Sequence, residues 1–233
     1  MGDAIVTFAD KTLQFFARLR APRNLPQGIE VMNPYRDQRV RSYVTSFFGT
    51  FYSDTAPRTY VFGINPGRFG SGRTGVMFTD PVALEVRCGI PNDLEKRREI
   101  SSEFIYDFIG EYGGAQDFYG RFFLTAVSPL GFVRKGLNFN YYDDPRLLVQ
   151  LKPFIVRTIK QQLAFGARRE AAIVLGSGAN YRHLAVLNEE YRFFEKLVAL
   201  DHPRFIMQYR RKRLREYRQK YRDVFHAYGG NLD

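Results

Sequence analysis

The sequence of 233 residues contains one cysteine, three histidines and no tryptophan. The single cysteine, Cys88, cannot form a disulfide within the chain or supply a multi-cysteine metal or iron–sulfur site. The histidines, His183, His202 and His226, lie far apart without the spacing of metal ligands. We therefore predict that the protein uses neither a metal nor any other cofactor.

Long hydrophobic runs are also missing. No stretch approaches the roughly 20 apolar residues that a membrane-spanning helix requires. The apolar N-terminal stretch is interrupted by acidic residues and lacks the basic lead of a secretory signal. We expect a soluble intracellular protein of the cytoplasm and nucleoid, or of the nucleus. We expect no membrane partner and a monomeric state.

Positive charge is the main compositional feature that is present. The chain has 35 basic and 24 acidic residues and a net charge of +11. Such an excess favours an anionic partner, and nucleic acid is the partner that we expect, although solubility alone would also account for the charge. No break in composition divides the chain, which predicts one domain over residues 1–233. Within it, N-terminal helices in residues 1–55 should pack on the core, and residues 208–228 should form a basic C-terminal helix.

The stretch over residues 59–80 indicates the functional site. A short apolar run from Tyr60 to Ile64 predicts a buried strand, which ends at Asn65 and leads into a loop containing several glycines. Residues 70–75 match the glycine spacing of a dinucleotide-binding loop, but the predicted strand ends too early and no helical pattern begins at the third glycine. The phosphate loop of nucleotide hydrolases is also excluded, because no Gly-Lys-Ser/Thr follows. We predict an active-site loop of another kind.

Apolar spacing and turn residues predict an alternation of strands and helices. Helices are predicted over residues 4–19, 38–51, 80–88, 101–112 and 145–165, and through Tyr191, Phe194 and Leu197. Strands are predicted over residues 60–64, 121–127, 171–175 and 198–200, while residues 22–34 and 136–144 should lack regular structure. This order predicts an α/β fold, with a parallel sheet that has helices on both faces.

The carboxyl ends of parallel strands meet at one edge of a sheet, so two distant residues should come together there. Asn65 follows the first predicted strand and His202 follows the fourth. Each also has a simpler explanation, because asparagine before proline is common in turns and a histidine can simply cap a strand. Asp201 is not expected to act with His202, since neighbouring strand residues point to opposite faces.

The chain from Tyr209 onward is strongly basic and has the apolar spacing of a helix. It reads YRRKRLREYRQKYR and contains eight basic residues and one acidic residue. We expect its first cations to bind phosphates, namely Arg210, Arg211, Lys212 and Arg213. A helix face that is merely solvated is the alternative.

Two motifs resemble those of the single-strand-selective monofunctional uracil-DNA glycosylases, a family within the uracil-DNA glycosylase superfamily. The first is Gly63-Ile-Asn-Pro-Gly-Arg-Phe-Gly70, which continues to Thr74-Gly-Val-Met-Phe78, and the second is His202-Pro203 at a strand end. Weaker similarity at Val31–Pro34 and Ser128–Leu130 extends the resemblance over about residues 30–210. The resemblance implies a three-layer α/β/α sandwich around a four-stranded, mainly parallel sheet.

The resemblance also assigns roles to residues. Asn65 would position the water that attacks C1′ of the deoxyribose, His202 would stabilise the negative charge growing on the uracil O2, and Phe78 would stack on the flipped base. The expected pocket residues are Gly63, Ile64, Pro66, Gly67, Phe69, Phe78, Ala126, Ser128 and Asn138. The expected DNA contacts are Arg68, Arg73, Arg204 and Phe205, together with the basic stretch.

The sequence departs from the family pattern at two places. The asparagine that reads the uracil edge in the family corresponds to Ala126 here, and either Asn138 or Asn140 could replace it. Base preference therefore stays open and includes deaminated purines. The family's Ser-Pro-Arg wedge is replaced by the segment that begins with Arg204 and Phe205, where we expect the residues that enter the duplex.

The expected function is a monofunctional DNA glycosylase that removes uracil from single- or double-stranded DNA by hydrolysis and leaves an abasic site. No lysine is placed for Schiff-base chemistry. The alternative is a non-catalytic nucleic-acid-binding protein on the same fold, which would have no need of Asn65 and His202. An enzyme acting on small free nucleotides would leave the charge of +11 unexplained.

Overall fold

A computed structural model describes residues 5–230. The helices, in chain order, are α1 (Phe8–Arg18), α2 (Gln38–Phe51), α3 (Ser71–Thr74), α4 (Pro81–Val86), α5 (Ile100–Tyr112), α6 (Ala115–Arg121), α7 (Pro145–Leu163), α8 (Ala179–Tyr191), α9 (Pro203–Tyr209) and α10 (Leu214–Tyr228). The strands are β1 (Ile29–Met32), β2 (Arg58–Gly63), β3 (Phe122–Ala126), β4 (Gly131–Arg134), β5 (Leu137–Phe139), β6 (Ala167–Leu175) and β7 (Lys196–Leu200). Short 3-10 helices cover Pro34–Arg36 and Arg211–Arg213.

The main sheet has the strand order β3-β2-β6-β7, and every neighbouring pair is parallel. Every residue of the neighbouring strands β2 and β3 is buried, as expected for strands that helices cover on both faces of the sheet. The predicted α/β/α architecture with a four-stranded, mainly parallel sheet is confirmed. The parallel strands bring the ends of β2, β3, β6 and β7 to one edge.

A second, antiparallel sheet with the order β1-β4-β5 was not predicted. The expectation of irregular structure over residues 22–34 and 136–144 was therefore partly wrong. Strands β4 and β5 are joined by a two-residue turn at Lys135 and Gly136, both with positive φ, as the twist of a hairpin requires. These strands have only three or four residues each, too few for a readable alternation.

Several predicted boundaries also change. The first helix begins at Phe8 instead of residue 4, which lies outside the described residues, because Thr7 and Asp10 form a capping box. Helix α8 ends at Tyr191, where Arg192 adopts a left-handed conformation, so the helix predicted through Phe194 and Leu197 was wrong. Helix α6 was missed because Gly113 and Gly114 suggested an end rather than a turn between two helices.

The C-terminal basic stretch is not one helix over residues 208–228. It is divided into the end of α9, the 3-10 helix Arg211–Arg213 and α10. Helix α10 packs on the core through Tyr221 and Phe225, which are fully buried. Among the helices of residues 5–230, none has the length and apolar character needed to cross a membrane.

Candidate active site

Asn65 lies just beyond the end of β2 and is held by backbone groups at the end of β5 and two residues beyond it. Its Oδ1 accepts a hydrogen bond from the Tyr141 N–H at 3.1 Å, and its Nδ2 donates to the Phe139 carbonyl at 3.3 Å. Both ends of the amide are thus fixed, and the amide orientation is set. An Oδ1 that accepts one hydrogen bond has a second lone pair for a water molecule.

Phe78 is placed against the end of the same strand. Its φ is 55°, in the left-handed region, and its side chain is buried. The Phe78 ring lies over Gly63, and its centroid is 5.7 Å from that of His202. Phe78 therefore adjoins both Gly63 and His202, and Asn65 follows Gly63 by two residues.

His202 follows β7 and forms the N-cap of α9. Its Nδ1 accepts the Arg204 N–H at 3.1 Å, which assigns the ring proton to Nε2. Burial, with a further contribution from the positive charge of Arg204, lowers the pKa of His202 to about 4. The imidazole is therefore neutral near pH 7 and offers an Nε2–H donor. Asp201 is directed elsewhere, because its carboxylate accepts the Ser177 hydroxyl at 2.6 Å.

Ala126 and Ser128 lie behind the site and are not free to read a base. Ala126 ends β3, pairs with Gly63 in register and is fully buried. The Ser128 hydroxyl, also buried, donates to the Leu130 carbonyl at 2.9 Å. Of the two asparagines considered as replacements, Asn140 bonds to Asp143 at 3.2 Å. Only Asn138 faces the glycine loop.

The glycine loop after Asn65 is tightly packed, and several of its predicted pocket and DNA residues are already engaged. Arg68 donates to the Gly136 carbonyl and stacks on Phe69. Phe69 is also covered by Arg97, whose Cζ is 3.6 Å from the ring centroid. Arg73 pairs with Glu95 at 2.8 Å. The neighbouring pocket residues are Ile64, whose carbonyl accepts the Ser128 N–H, and the buried Pro66.

Glu99 was missed by sequence analysis. Its carboxylate lies against Gly67 and Gly70, where a Cβ at residue 70 would collide with it. The Glu99 N–H donates to Asp80 Oδ2 at 2.8 Å, which fixes the backbone at this point. Burial raises the pKa of the Glu99 carboxyl, while the charge of Arg204 opposes that rise. No local sequence pattern identifies Glu99, because it precedes α5 and is distant along the chain from Gly67 and Gly70, which it contacts.

The surface next to His202 combines aromatic rings with cations. Phe205 and Tyr209 are exposed, with ring centroids 5.8 Å apart, and the Arg210 guanidinium lies 5.0 Å from the Phe205 ring. Arg211 and Lys212 form no ion pair within residues 5–230, whereas Arg213 is paired with Glu216 at 2.6 Å. In the same range, no group of three or more His, Cys, Asp or Glu side chains is arranged to hold a metal.

Comparison with known proteins assigns the family. The model of the Uracil DNA glycosylase superfamily matches residues 50–226, which include Asn65, Phe78 and His202. The chain belongs to this superfamily. Membership in the uracil DNA glycosylase superfamily supports a glycosylase-type function in DNA repair, with DNA as the bound macromolecule.

A solved structure provides a detailed comparison. The crystal structure of wild-type Pedobacter heparinus SMUG2 is similar to this uracil DNA glycosylase superfamily member, with 41% sequence identity and a TM-score of 0.93. The similarity covers 96% of this chain and 98% of the SMUG2 chain. A search of curated proteins finds no match. The expected resemblance to a branch of the single-strand-selective enzymes is confirmed.

Proposed function

We propose that the protein is a monofunctional DNA glycosylase that hydrolyses the N-glycosidic bond of uracil in DNA and leaves an abasic site. One observation carries this proposal: the Phe78 ring contacts the end of β2, where Asn65 follows, and adjoins a neutral His202 whose Nε2–H has no hydrogen-bond partner within residues 5–230. A pure binding protein requires no such arrangement. The similarity to Pedobacter heparinus SMUG2 supports the same function.

The chemistry suits these residue types. A base stacked on Phe78 would place its O2 near His202, whose Nε2–H would stabilise the oxyanion that develops as the glycosidic bond breaks. A donor aimed at such a charge in a dry pocket contributes about 3–4 kcal/mol. Asn65 would hold the attacking water through the free lone pair of Oδ1. Flipping the base costs a few kcal/mol, which stacking and phosphate contacts offset.

The test is cleavage of labelled oligonucleotides that carry one uracil, hypoxanthine or xanthine, followed by alkali. Wild type would be compared with Asn65→Ala and His202→Ala, and with Asn140→Ala as a control from the same side of the site. Strand breaks that need alkali and are lost in the first two variants would support a monofunctional glycosylase. Breaks without alkali would indicate lyase chemistry. DNA binding without cleavage of any base would favour the non-catalytic alternative.

A further inference from the structure

Two polar groups face the same space beside Gly67. A Cβ atom at residue 67 would lie 3.4 Å from Glu99 Oε1 and 3.6 Å from Asn138 Nδ2. The carboxylate and the amide thus border one position, two residues after Asn65. Neither carboxylate oxygen of Glu99 accepts a hydrogen bond within residues 5–230, although the side chain is half-buried.

The surrounding backbone orients the Asn138 amide and leaves room for the Glu99 carboxylate. Asn138 Oδ1 accepts the Arg68 N–H at 3.0 Å, so its Nδ2 must be the atom that faces Gly67. The Glu99 backbone is tied to Asp80, and the absence of a side chain at Gly70 makes room for the carboxylate. The site therefore offers a carboxylate acceptor next to an oriented amide donor.

An acceptor beside a donor is complementary to a lactam, in which a ring N–H adjoins a carbonyl. Uracil, hypoxanthine and xanthine all contain this unit, whereas cytosine and adenine present a ring acceptor beside an amino donor. We propose that Glu99 accepts the lactam N–H of the flipped base and that Asn138 donates to the adjacent carbonyl. This specificity assignment rests on the proposed glycosylase function.

The proposal supplies a pair of base-reading side chains that the end of β3 and the turn after it lack. The Ala126 side chain carries no polar group, and the Ser128 hydroxyl is used within its own turn. A site that hydrogen-bonds a lactam rejects the inverted pattern of an amino base, because polar groups would then be left unpaired. The shared lactam would also allow deaminated purines to be accepted together with uracil.

The test removes the proposed acceptor from the protein and the N–H donor from the substrate, separately and together. Single-turnover cleavage rates would be measured for uracil and 3-methyluracil, which lacks the N–H, with wild type, Glu99→Ala and Glu99→Gln. Wild type should cleave 3-methyluracil about 10- to 100-fold more slowly than uracil, the range for one hydrogen bond to a charged group. Glu99→Ala should bring that ratio close to one. Glu99→Gln retains an acceptor oxygen and should preserve the preference for uracil.

A parallel comparison tests the donor. Asn138→Ala should reduce the preference of the enzyme for uracil over 4-thiouracil, whose sulfur is a weak acceptor. Glu103→Ala, one turn further along α5, is the matched control and should leave both ratios unchanged, and thermal unfolding would verify that each variant folds.

The inference is overturned if Glu99→Ala slows uracil and 3-methyluracil by the same factor, or slows neither. That result would leave the glycosylase function intact. Failure of wild type to cleave any base would instead refute the proposed function itself, together with this reading of the base.

Discussion

The ring of Phe78 lies so close to Gly63 that a Cβ atom at residue 63 would be 2.8 Å from its Cζ. This contact explains why β2 ends in a glycine. Phe78 also holds a positive φ of 55°, which is unfavourable for an aromatic residue and persists only where the surroundings impose it. The position of the Phe78 ring next to His202 therefore requires that residue 63 has no side chain.

Replacing Gly63 with alanine should displace the Phe78 ring. We expect Gly63→Ala to reduce cleavage of uracil at least about tenfold and to lower the free energy of unfolding by about 1–3 kcal/mol, the usual cost of overpacking. Single-turnover kinetics and urea unfolding would measure the two effects.

Gly110→Ala is the control, since a Cβ there meets nothing within 4 Å on an exposed helix face. It should stabilise the protein by about 0.5–1 kcal/mol. Unchanged kinetics in Gly63→Ala would contradict the role assigned to this contact.

The pH dependence of His202 should identify the form in which it acts. The neutral ring needs no proton to donate from Nε2, and its pKa is lowered to about 4. We therefore expect the contribution of His202, measured as the rate ratio of wild type to His202→Ala, to remain constant between about pH 5 and about pH 8. A ratio that falls above about pH 6.5 would show that the imidazolium is the active form.

The lowered pKa of His202 should also make the folded protein less stable as the pH falls. As pH falls from about 6.5 towards 4, the unfolded chain takes up a proton at His202 that the folded protein does not bind. Wild type should therefore lose stability over this interval relative to His202→Asn. Urea midpoints at several pH values would measure the difference, and parallel curves for the two proteins would rule out the lowered pKa.

Arg211 and Lys212 should contribute to DNA affinity through phosphate contacts. They form no ion pair within the described part of the chain, so both are available to neutralise phosphates. Replacing both with alanine should reduce the slope of log affinity against log salt by about 1.4–1.8, on the basis of about 0.7–0.9 per contact. Fluorescence anisotropy over a salt series would measure this slope. Arg157→Ala and Lys160→Ala together, on α7, form a charge-matched control that should leave it unchanged. An equal decrease of the slope in both double variants would show that only the net charge of the protein matters, and not the position of Arg211 and Lys212.

Arg58, the first residue of β2, should show how much the stability of the protein depends on one ion pair at the start of this strand. Its side chain is fully buried and donates to Asp54, with one bond at 2.7 Å, and to the Ala56 and Tyr119 carbonyls. Asp54→Ala would leave this buried charge with carbonyl partners only, and we expect a loss of about 1–3 kcal/mol in the free energy of unfolding. Glu190→Ala, which breaks the exposed pair with Lys152, should cost less than about 1 kcal/mol. Equal costs in the two variants would contradict this account.

Features set by local chemistry could be read from the sequence. Helix α2 begins and ends where apolar spacing predicted, and α4 begins after the Asp80 cap with Pro81 in its first turn. The four parallel strands were all identified, although β6 and β7 are longer than expected. Features that depend on contacts between distant segments were not predicted. The hairpin of β4 and β5 is one example, because β4 also pairs with the distant strand β1, and Gly136 and Asn138 of the hairpin bond to Arg68 in the loop after β2.

The candidate site divides in the same way. The sequence by itself determined the strand ends, the glycine loop and the chemically distinctive Asn65, Phe78 and His202, because turn residues and motif spacing are local properties of the chain. Only the tertiary structure decided which neighbours complete the site. In the folded protein Arg68 and Arg73 bond to nearby groups, and Ser128 is buried. Glu99, which precedes a helix far along the chain, lies against Gly67. Packing joins groups that are far apart in sequence, and no local pattern records which groups will meet.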